Sequence, residues 1–391
     1  MIFRVLNETE FNSIREEFDY NFYQSSGWTR IKKTNRWSHE YVAVFDNDKP
    51  VLVCVILMRK IIAKYLCYAP RGPLVADGAD KKKVYEFFLK NVREHLKKKG
   101  GFVFTIDPYI EMRKHDRSGD VVGEWSNEEF VEFLKDMGCR HKGFTTGYSG
   151  DIQFRWSYGV DIKDKTPEEL RKDMNYRCKR SIKRAERYPM FLADVDEKNI
   201  DDFKDIMEHT ASRHVHADRG TSYYMRLKSE LEGRTRLAVI YLDREKFMKD
   251  IEEGKYEVRD DVYERVLGDE RPHIPLSAGV FILDKKRMNY VYGGTYSYYF
   301  PFMAQYKMQM EMIKYSIGQG MEIYDFGGIK GIFDKDHPDY KLYDYKRGYG
   351  GYVIEYIGEF DLPIDKLYLS MYEKMFVVYK KLRNLSAAIK K

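Results

Sequence analysis

The residues best placed for chemistry lie near the C-terminus, in the run over 324–360 (YDFGGIKGIFDKDHPDYKLYDYKRGYGGYVIEYIGEF). Two strand-like segments flank two glycine-rich breaks and a cationic pair, Lys346 and Arg347. Glycine has no Cβ, so backbone that approaches a ligand closely favours it. A cation beside such a turn can stabilise an oxyanion or bind a phosphate. By itself the run is more typical of a surface loop with a charged tip.

A second candidate is a basic helix within residues 165–190, a window with nine Lys or Arg residues and four acidic ones. Four of the arginines are spaced so that they form one stripe on a helix: Arg177, Arg180, Arg184 and Arg187. Cys178, Ile182 and Ala185 fall on roughly the opposite face, where we expect them to pack. Guanidinium groups bind phosphate in a paired geometry, which favours RNA or polyphosphate as the partner. A solvated surface helix is the alternative.

Other candidates are weaker. Asp107 follows a predicted buried strand, where a carboxylate can act as a base or cap a turn. His209, His214 and His216 lie close in sequence, but no carboxylate spacing completes a metal site. The segment RGYGGY at 347–352 approaches the pyrophosphate loop of acetyl-CoA-dependent acetyltransferases. It ends in tyrosine where that loop needs glycine or alanine, so coenzyme A binding is not supported.

The composition sets broad limits on the function. A length of 391 residues predicts two or three domains, and the net charge is a modest +6. The four cysteines are far apart without a C-x-x-C pair, which argues against a zinc site and a disulfide framework. A reducing cytoplasm is therefore the predicted compartment. No stretch approaches 18 apolar residues, and the N-terminus lacks the features of a signal peptide.

Strand and helix signals alternate along the chain, which predicts a mixed α+β fold. In the first unit, 1–155, strands are predicted over 39–46, 51–60, 64–77 and 102–110. A second unit, 156–357, repeats this rhythm, and Thr166 with Pro167 is predicted to cap one of its helices. The repetition suggests a duplicated fold.

Two segments look like additions to these units. Residues 243–271 contain 18 charged residues out of 29, which predicts a protruding helical excursion or, as the alternative, a solvated loop. Residues 364–391 predict a basic helix with an apolar stripe. We expect this helix to dock on the body of the protein, and contact with a membrane surface is the alternative.

Taken together, these segments resemble the Fem family (FemA, FemB, FemX and MurM-like proteins), the non-ribosomal peptidyltransferases of bacterial cell-wall synthesis. Each matching segment is short, but the matches follow the family order from about residue 20 to 363. They are Gln24-Ser25-Ser26-Gly27-Trp28 with Lys32, Arg71-Gly72-Pro73, Ile106-Asp107-Pro108-Tyr109, Arg177 to Arg187, Ala217-Asp218-Arg219 with Tyr223-Tyr224 and Leu227, Ser277-Ala278-Gly279, Tyr290 with Gly293-Gly294-Thr295, and the C-terminal run through Lys346-Arg347-Gly348.

The resemblance implies two tandem GNAT-like domains, with the C-terminal segment 358–391 returning to the first. It implies transfer of an amino acid from aminoacyl-tRNA to an amine of a peptidoglycan precursor, usually on the third-position side chain of the stem peptide. The precursor is UDP-MurNAc-pentapeptide or its lipid-linked form. The lipid-linked form would imply peripheral contact with the inner face of the membrane, without a transmembrane segment. An aminoacyl ester is already activated, so the reaction needs neither a metal nor a cofactor.

The resemblance also assigns roles by position. Residues matching those that hold the precursor's phosphates and sugar are Lys32, Arg219, Tyr223 and Tyr290, with Tyr292 as the alternative to Tyr290. Lys346 matches the family lysine near the reacting ester, where it can stabilise a tetrahedral oxyanion. Asp107 is a candidate acceptor for the proton of the amine, and a substrate phosphate or the tRNA hydroxyl can serve instead. The arginine stripe then has the tRNA acceptor arm as its partner.

One departure and two alternatives remain. FemA-type members carry a long helical hairpin in the second domain, and the excursion over 243–271 is much shorter. A different GNAT-fold acyltransferase, with another donor or acceptor, is the first alternative. A non-catalytic RNA-binding protein is the second, although it would leave Lys32, Arg219 and Lys346 without a purpose.

Overall fold

The computed structural model of the protein describes residues 1–19, 21–147, 153–213 and 219–389, with side chains described as far as residue 378. Its architecture is mixed α+β with two mixed sheets, which confirms the predicted fold class. The strands are β1 (Ile2–Leu6), β2 (Ser38–Asp46), β3 (Lys49–Ile61), β4 (Lys64–Ala69), β5 (Leu74–Val75), β6 (Gly101–Ile106), β7 (Glu111–His115), β8 (Val121–Ser126), β9 (Arg140–His141), β10 (Trp156–Asp161), β11 (Met190–Asp194), β12 (Thr235–Asp243), β13 (His273–Leu283), β14 (Arg287–Thr295), β15 (Ile323–Ile329), β16 (Tyr352–Tyr356) and β17 (Phe360–Pro363).

Helices cover the sheets and carry most of the candidate residues. They are α1 (Glu8–Arg15), α2 (Ser26–Lys33), α3 (Lys81–Lys98), α4 (Glu128–Asp136), α5 (Pro167–Asp173), α6 (Tyr176–Ala185), α7 (Ile200–Arg213), α8 (Thr221–Glu230), α9 (Arg244–Glu252), α10 (Asp260–Leu267), α11 (Ala304–Gly318), α12 (Tyr340–Arg347) and α13 (Lys366–Ile389). The predicted cap of α5 is confirmed, because Thr166 and Glu169 form a reciprocal capping box and Pro167 opens the helix.

The first sheet has the order β1-β2-β3-β4-β6-β17-β9, with β5 paired to β3. Successive side chains of a strand face opposite sides of the sheet, so β2 contributes to two cores. Val42 and Val44 pack with the apolar face of α3. Tyr41 and Ala43 belong to a second core, which continues through α2 into the second sheet. The two halves of the protein therefore share one apolar interior.

The second sheet has the order β11-β12-β13-β14-β15-β10-β16-β7-β8. Its outer hairpin, β7 and β8, comes from the first part of the chain and pairs with β16. In exchange, β17 comes from the last part of the chain and lies between β6 and β9 of the first sheet. The two sheets are thus interlocked by segments that are distant in sequence.

The charged segment over 243–271 folds into α9 and α10, so it is helical rather than an unstructured loop. Phe247, Val262 and Val266 are fully buried. The Phe247 ring packs against Tyr188 and Phe302 of the body. The apolar positions therefore hold this segment against the protein while its many charges face solvent.

The C-terminal helix α13 docks by its first turns. Tyr368 and Tyr372 pack their rings against Phe102 of β6, and Leu369 is buried beside them. The helix also carries an exposed apolar stripe, which consists of Leu367, Met371, Met375 and Val378. Among the described residues, no helix is both long and apolar enough to cross a membrane.

Candidate functional site

Lys32 lies on the last turn of α2, a helix whose start is fixed by its cap. Ser25 accepts a hydrogen bond from the Trp28 backbone N–H, and the Trp28 side chain is buried. The Lys32 ammonium lies 4.6 Å from the centroid of the Trp28 ring. Partial burial, together with the positive charge of Arg219, lowers the pKa of Lys32 to about 8. A lysine in this environment gains charge stabilisation from an anionic ligand.

Arg219 lies opposite Lys32, at the start of α8. Its guanidinium lies 4.9 Å from the Tyr223 ring centroid and 5.6 Å from the Tyr292 ring centroid. The two tyrosine hydroxyls are 3.4 Å apart. Lys32, Arg219, Tyr223 and Tyr292 therefore form one cluster of two cations and two phenols. We call these four residues the cationic cluster.

Tyr290 is not part of the cationic cluster. Its ring stacks on Phe281, and its hydroxyl accepts a hydrogen bond from Gln305 Nε2 at 3.0 Å. Residues two apart on a regular strand share a face, but a register shift in β14 pairs Val280 with Tyr292 and Phe281 with Tyr290. This irregularity separates the two tyrosines, and it brings Tyr292 rather than Tyr290 to Arg219 and Tyr223.

Lys346 lies on the last turn of α12, whereas the run around it, taken by itself, is more typical of an exposed loop. Its side chain is only 4% exposed. The amino group donates to the carbonyl oxygens of Gly327 and Gly328, at 3.0 and 2.7 Å. Burial lowers the pKa of Lys346 to about 7, although the nearby Asp325 carboxylate opposes the shift. The two carbonyls thus hold an ammonium group that is easily deprotonated.

The glycines beneath Lys346 are required by close backbone packing. Gly327 has a left-handed φ of 75°, and a Cβ there would come within 2.6 Å of the Tyr290 carbonyl oxygen. A Cβ on Gly328 would lie 2.8 Å from the Phe154 ring. Asp325 precedes this turn and accepts hydrogen bonds from Gly327 N–H and Arg287. The turn that carries the two carbonyls is therefore tightly fixed.

Arg71 is an almost completely buried arginine, with 2% of its surface exposed. Its guanidinium carbon lies at similar distances from the centroids of three aromatic rings, 4.7 Å for Tyr109, 5.0 Å for Phe154 and 4.7 Å for Tyr356. Its Nη2 donates to the Phe154 carbonyl oxygen at 2.5 Å. Because Phe154 also packs on Gly328, Arg71 is linked to the turn that binds Lys346.

Asp107 is buried behind Arg71. Its carboxylate accepts hydrogen bonds from the Tyr68 hydroxyl at 2.8 Å and from the Arg71 backbone N–H at 2.7 Å. Burial raises its pKa. Arg71 has a left-handed φ of 55°, an unusual conformation for a residue with a side chain. Both oxygens of Asp107 are thus engaged in holding this turn.

Tyr23 lies close to both the cationic cluster and Arg71. Its ring packs edge-on against Trp28, with centroids 5.0 Å apart. Burial raises the pKa of the Tyr23 phenol, and the phenols of Tyr109 and Tyr292 raise it further. The Tyr23 hydroxyl therefore lies between the cationic cluster and the surroundings of Arg71. The sequence alone pointed to neither Tyr23 nor Arg71 as a site residue, because their burial depends on both halves of the fold.

The arginine stripe lies on α6 and just beyond its end. Cys178, Ile182 and Ala185 are buried, which confirms the predicted packing face. All four arginines of the stripe are exposed, and Arg177 pairs with Asp344 at 3.1 Å. Tyr176, at the first position of α6, is 79% exposed. An exposed aromatic ring beside exposed guanidinium groups is typical of nucleic-acid contact surfaces.

Within the part of the chain that the structure describes, no group of His, Cys, Asp and Glu side chains could hold a metal ion. His209 contacts Ser297, at 3.2 Å. His214 and His216 lie outside the described residues.

Near Arg347, glycines 350 and 351 pack against backbone, since a Cβ on Gly351 would come within 2.2 Å of the Gly159 carbonyl oxygen. These glycines therefore serve the packing of the chain.

Comparisons of sequence identify the relatives of this chain. The model of the FemAB family matches residues 6–265 and 257–376. The aminoacyltransferase FemA of Staphylococcus aureus (strain bovine RF122 / ET3-1) is 25% identical over 405 residues, which cover 94% of this chain and 96% of that protein. FemA of S. aureus strain MW2 is 24% identical with the same coverage.

Comparisons of structure agree on the fold. A crystal structure of FemX superimposes with a TM-score of 0.79 and 23% identity, covering 95% of this chain and 99% of that one. A tandem GNAT protein from the clavulanic acid biosynthesis pathway gives a TM-score of 0.50 and 9% identity, covering 93% and 98%. The architecture is therefore that of two GNAT-like domains in tandem.

Proposed function

The chain belongs to the FemAB family, and from that premise we propose that it transfers an amino acid from aminoacyl-tRNA to a stem-peptide amine of a peptidoglycan precursor. Its curated relatives are aminoacyltransferases. The observation that carries the proposal is the buried Lys346, held by two backbone carbonyls inside a fold shared by acyltransferases.

The reaction follows from what each group can do. The neutral amine attacks the ester carbonyl, and the new C–N bond forms while the carbonyl π electrons move to oxygen. The Lys346 ammonium donates to that oxyanion. The tetrahedral intermediate then collapses, the C–O bond to the tRNA ribose breaks, and the released ribose oxygen takes up the proton that the amine loses and becomes a hydroxyl. Fixed donors aimed at a developing oxyanion are among the strongest contributors to catalysis.

The cationic cluster is the proposed site for the precursor's phosphates and sugar. Lys32 and Arg219 supply two positive charges without a bound carboxylate among the described residues. The rings of Tyr223 and Tyr292 supply flat surfaces and hydroxyls beside them. Two large anionic substrates must be aligned for transfer, and such positioning lowers the barrier considerably. Asp107 is proposed to hold the Arg71 turn, and it is the alternative to the ribose oxygen as acceptor of the proton that the amine loses.

A matched pair of tyrosine variants tests the position of the cluster. Tyr292→Phe removes a hydroxyl that faces the proposed ligand, so KM for the precursor should rise about fivefold with kcat unchanged. Tyr290→Phe removes a hydroxyl bound to Gln305, so KM should stay within about twofold. Steady-state kinetics with UDP-MurNAc-pentapeptide measures both. The opposite pattern would make Tyr290 the precursor-binding residue.

The arginine stripe is the proposed contact for the acceptor arm of tRNA. The logarithm of the tRNA binding constant falls linearly with the logarithm of the salt concentration. Loss of two phosphate contacts should make this slope shallower by about 1.5. We expect this change for the double variant Arg180→Ala, Arg184→Ala, measured by tRNA binding at several salt concentrations. The control is Lys90→Ala, Lys97→Ala, which removes the same charge from an exposed face of α3. Equal slopes for the two double variants would place the tRNA elsewhere.

The pH profile distinguishes a charged Lys346 from a basic one. Below pH 7 the single-turnover rate should rise about tenfold per unit, because only the neutral amine attacks. Above pH 7 the protonated fraction of Lys346 falls as the neutral amine fraction grows, so the rate should level off. Lys346→Met lacks this titration, and its residual rate should keep rising. A wild-type rate that also keeps rising above pH 7 would make Lys346 the proton acceptor.

The assay for the function itself uses pools of charged tRNA with UDP-MurNAc-pentapeptide. We expect a mass gain of one amino acid on the precursor, and none when its side-chain amine is acetylated. A parallel reaction with acetyl-CoA in place of tRNA tests the alternative donor. A mass gain of the precursor with acetyl-CoA but not with charged tRNA would favour another GNAT-type acyltransferase. Binding of tRNA without any mass gain of the precursor would favour an RNA-binding protein.

The use of tRNA places the proposed reaction in the cytoplasm. We propose that the first GNAT-like domain comprises residues 1–155 with 358–391 and that the second comprises residues 156–357.

The exposed apolar stripe of α13 supports peripheral contact with the inner face of the membrane, where a lipid-linked precursor would lie. Sedimentation with anionic lipid vesicles tests that contact, and protein that stays in the supernatant would exclude it.

A further inference from the structure

A cavity lies between the two halves of the protein, and the residues of the cationic cluster do not line it. Its volume is about 330 Å³. None of Lys32, Arg219, Tyr223, Tyr292 or Lys346 lines it. Its walls come from the segment after β4, the turn after β6, the β13–β14 turn and the start of β15. Ligand pockets begin at about this size, so the cavity fits a molecule as large as a dipeptide.

The charge of this cavity is positive. Three of its cations, Arg71, Lys81 and Lys285, make no ion pair with any residue that the structure describes. Its acidic side chains, in contrast, are engaged. Glu322 pairs with Lys163 at 3.4 Å, and Asp284 accepts hydrogen bonds from Phe22 N–H and Asn289.

Asp284 adds little negative charge at neutral pH. It is buried, and that burial raises its pKa to about 7 in spite of the hydrogen bonds that it accepts. Asp19, at the rim, lies 3.9 Å from the ammonium of Lys286. Among the side chains that line the cavity the cations outnumber the acids, and Asp107 behind Arg71 offsets only part of this charge, which favours an anionic ligand.

Arg71 supplies the strongest reason to expect a specific ligand. It lines the cavity, is almost fully buried, and uses one N–H of its guanidinium for the Phe154 carbonyl. Its Nε has no hydrogen-bond partner among the described residues. This Nε is itself enclosed, so a ligand in the cavity that Arg71 lines would meet the remaining N–H groups of the guanidinium. The planar guanidinium fork matches a carboxylate.

Part of the wall is apolar and suits an aliphatic body. It consists of Pro73, Leu74, Val75, Pro108, Ile110 and Ile323. A lone phosphate would leave these surfaces unused. We propose that this cavity binds the carboxylate end of a short peptide, with Arg71 on the carboxylate and Lys285 at the rim.

The cavity adjoins the surroundings of Lys346 on two sides. Arg287 lines it and donates to Asp325 at 2.7 Å. Arg71 is linked through Phe154 to Gly328, whose carbonyl binds Lys346. A peptide anchored here can present a side-chain amine to Lys346. That the peptide is the stem of the peptidoglycan precursor rests on the proposed function, whereas the binding of a carboxylate does not.

Calorimetric titration of the full-length protein tests the inference with N-acetyl-D-alanyl-D-alanine as the probe. The C-terminal amide of the same dipeptide is the matched control, and inorganic phosphate is the third ligand. We expect the acid to bind and the amide to bind at least about tenfold more weakly, because only the acid carries the charge. Equal binding of acid and amide, no binding of the acid, or phosphate binding as tight as that of the acid would overturn it.

Variants localise the binding. Lys285→Glu changes an exposed rim residue and should lower the affinity for the dipeptide acid about tenfold. Lys90→Glu makes the same change on exposed α3 away from the cavity and should leave the affinity within about twofold. Arg71→Lys keeps the charge without the fork and should also weaken the acid, with its fold checked by thermal melting. Equal affinities for the Lys285 and Lys90 variants would overturn the assignment.

The binding test contains no tRNA, so its failure is distinct from failure of the proposed function. Transfer to the precursor without binding of the dipeptide would overturn only this inference. Binding of the dipeptide without transfer from any charged tRNA would leave the site in place and overturn the proposed function.

Discussion

Replacing Lys346 with methionine should lower turnover by about 10³-fold and leave the affinity for the precursor within about threefold. The amino group lies on the Gly327 and Gly328 carbonyls, apart from the cationic cluster. Its charge therefore acts mainly when the oxyanion forms. Single-turnover kinetics with aminoacyl-tRNA, together with calorimetry of precursor binding, measures the two quantities separately.

Loss of fold would not explain such a result. Burial lowers the pKa of Lys346 to about 7, so folding below that pH carries the cost of a buried charge. Methionine removes this cost, and the variant should melt no lower than the wild type. Between about pH 7 and 10.5, Lys346 is largely neutral in the folded wild type and protonated in the unfolded chain. The free energy of unfolding of the wild type should therefore increase with pH over this range, relative to that of the variant.

Lys341→Met is the matched control for this experiment. Lys341 lies on the same helix, α12, but it is exposed and should tolerate the change with full turnover. A parallel fall of turnover and precursor affinity in Lys346→Met would make Lys346 a binding residue. Turnover within tenfold of the wild type would remove it from the mechanism.

Arg219→Ala should have the second large effect, on binding rather than on turnover. The loss of a guanidinium that contacts phosphate should raise KM for the precursor by about 50-fold, with kcat at saturation nearly unchanged. The effect should shrink at high salt, because Arg219 is exposed and its attraction is screened. Steady-state kinetics at two salt concentrations measures this.

Arg226→Ala provides the control for Arg219, since it is an exposed arginine on the same helix, α8. KM for the precursor should stay within about twofold in that variant. A fall of kcat in Arg219→Ala, with KM unchanged, would place Arg219 at the reacting ester instead of the precursor's phosphates.

The fold class and most strands followed from local patterns, whereas the partners of some strands did not. The strand-like runs over 39–46 and 51–60 with Asn47 and Asp48 between them predict the hairpin, and these two residues adopt a left-handed turn conformation. The hairpin β7–β8 and the strand β17 each join the sheet of the other half. Such pairings depend on contacts between distant segments, which no local pattern encodes.

The candidate site was predictable in part. The family resemblance drew attention to Lys32, Arg219, Tyr223 and Lys346, and the structure brings the first three together. The helix around Lys346 went unnoticed because its buried positions are tyrosines and a lysine, which give little apolar periodicity. The choice between Tyr290 and Tyr292 depends on a strand irregularity, which the sequence does not mark.

The central claim is direct transfer of the amino acid from tRNA to the amine at Lys346. The most direct measurement follows the aminoacyl ester and the precursor mass in the same quenched reaction. We predict that each ester lost gives one precursor heavier by one amino acid, without an acylated form of the protein at any time. Ester loss without precursor gain, or a covalent aminoacyl-protein that precedes the product, would contradict the account.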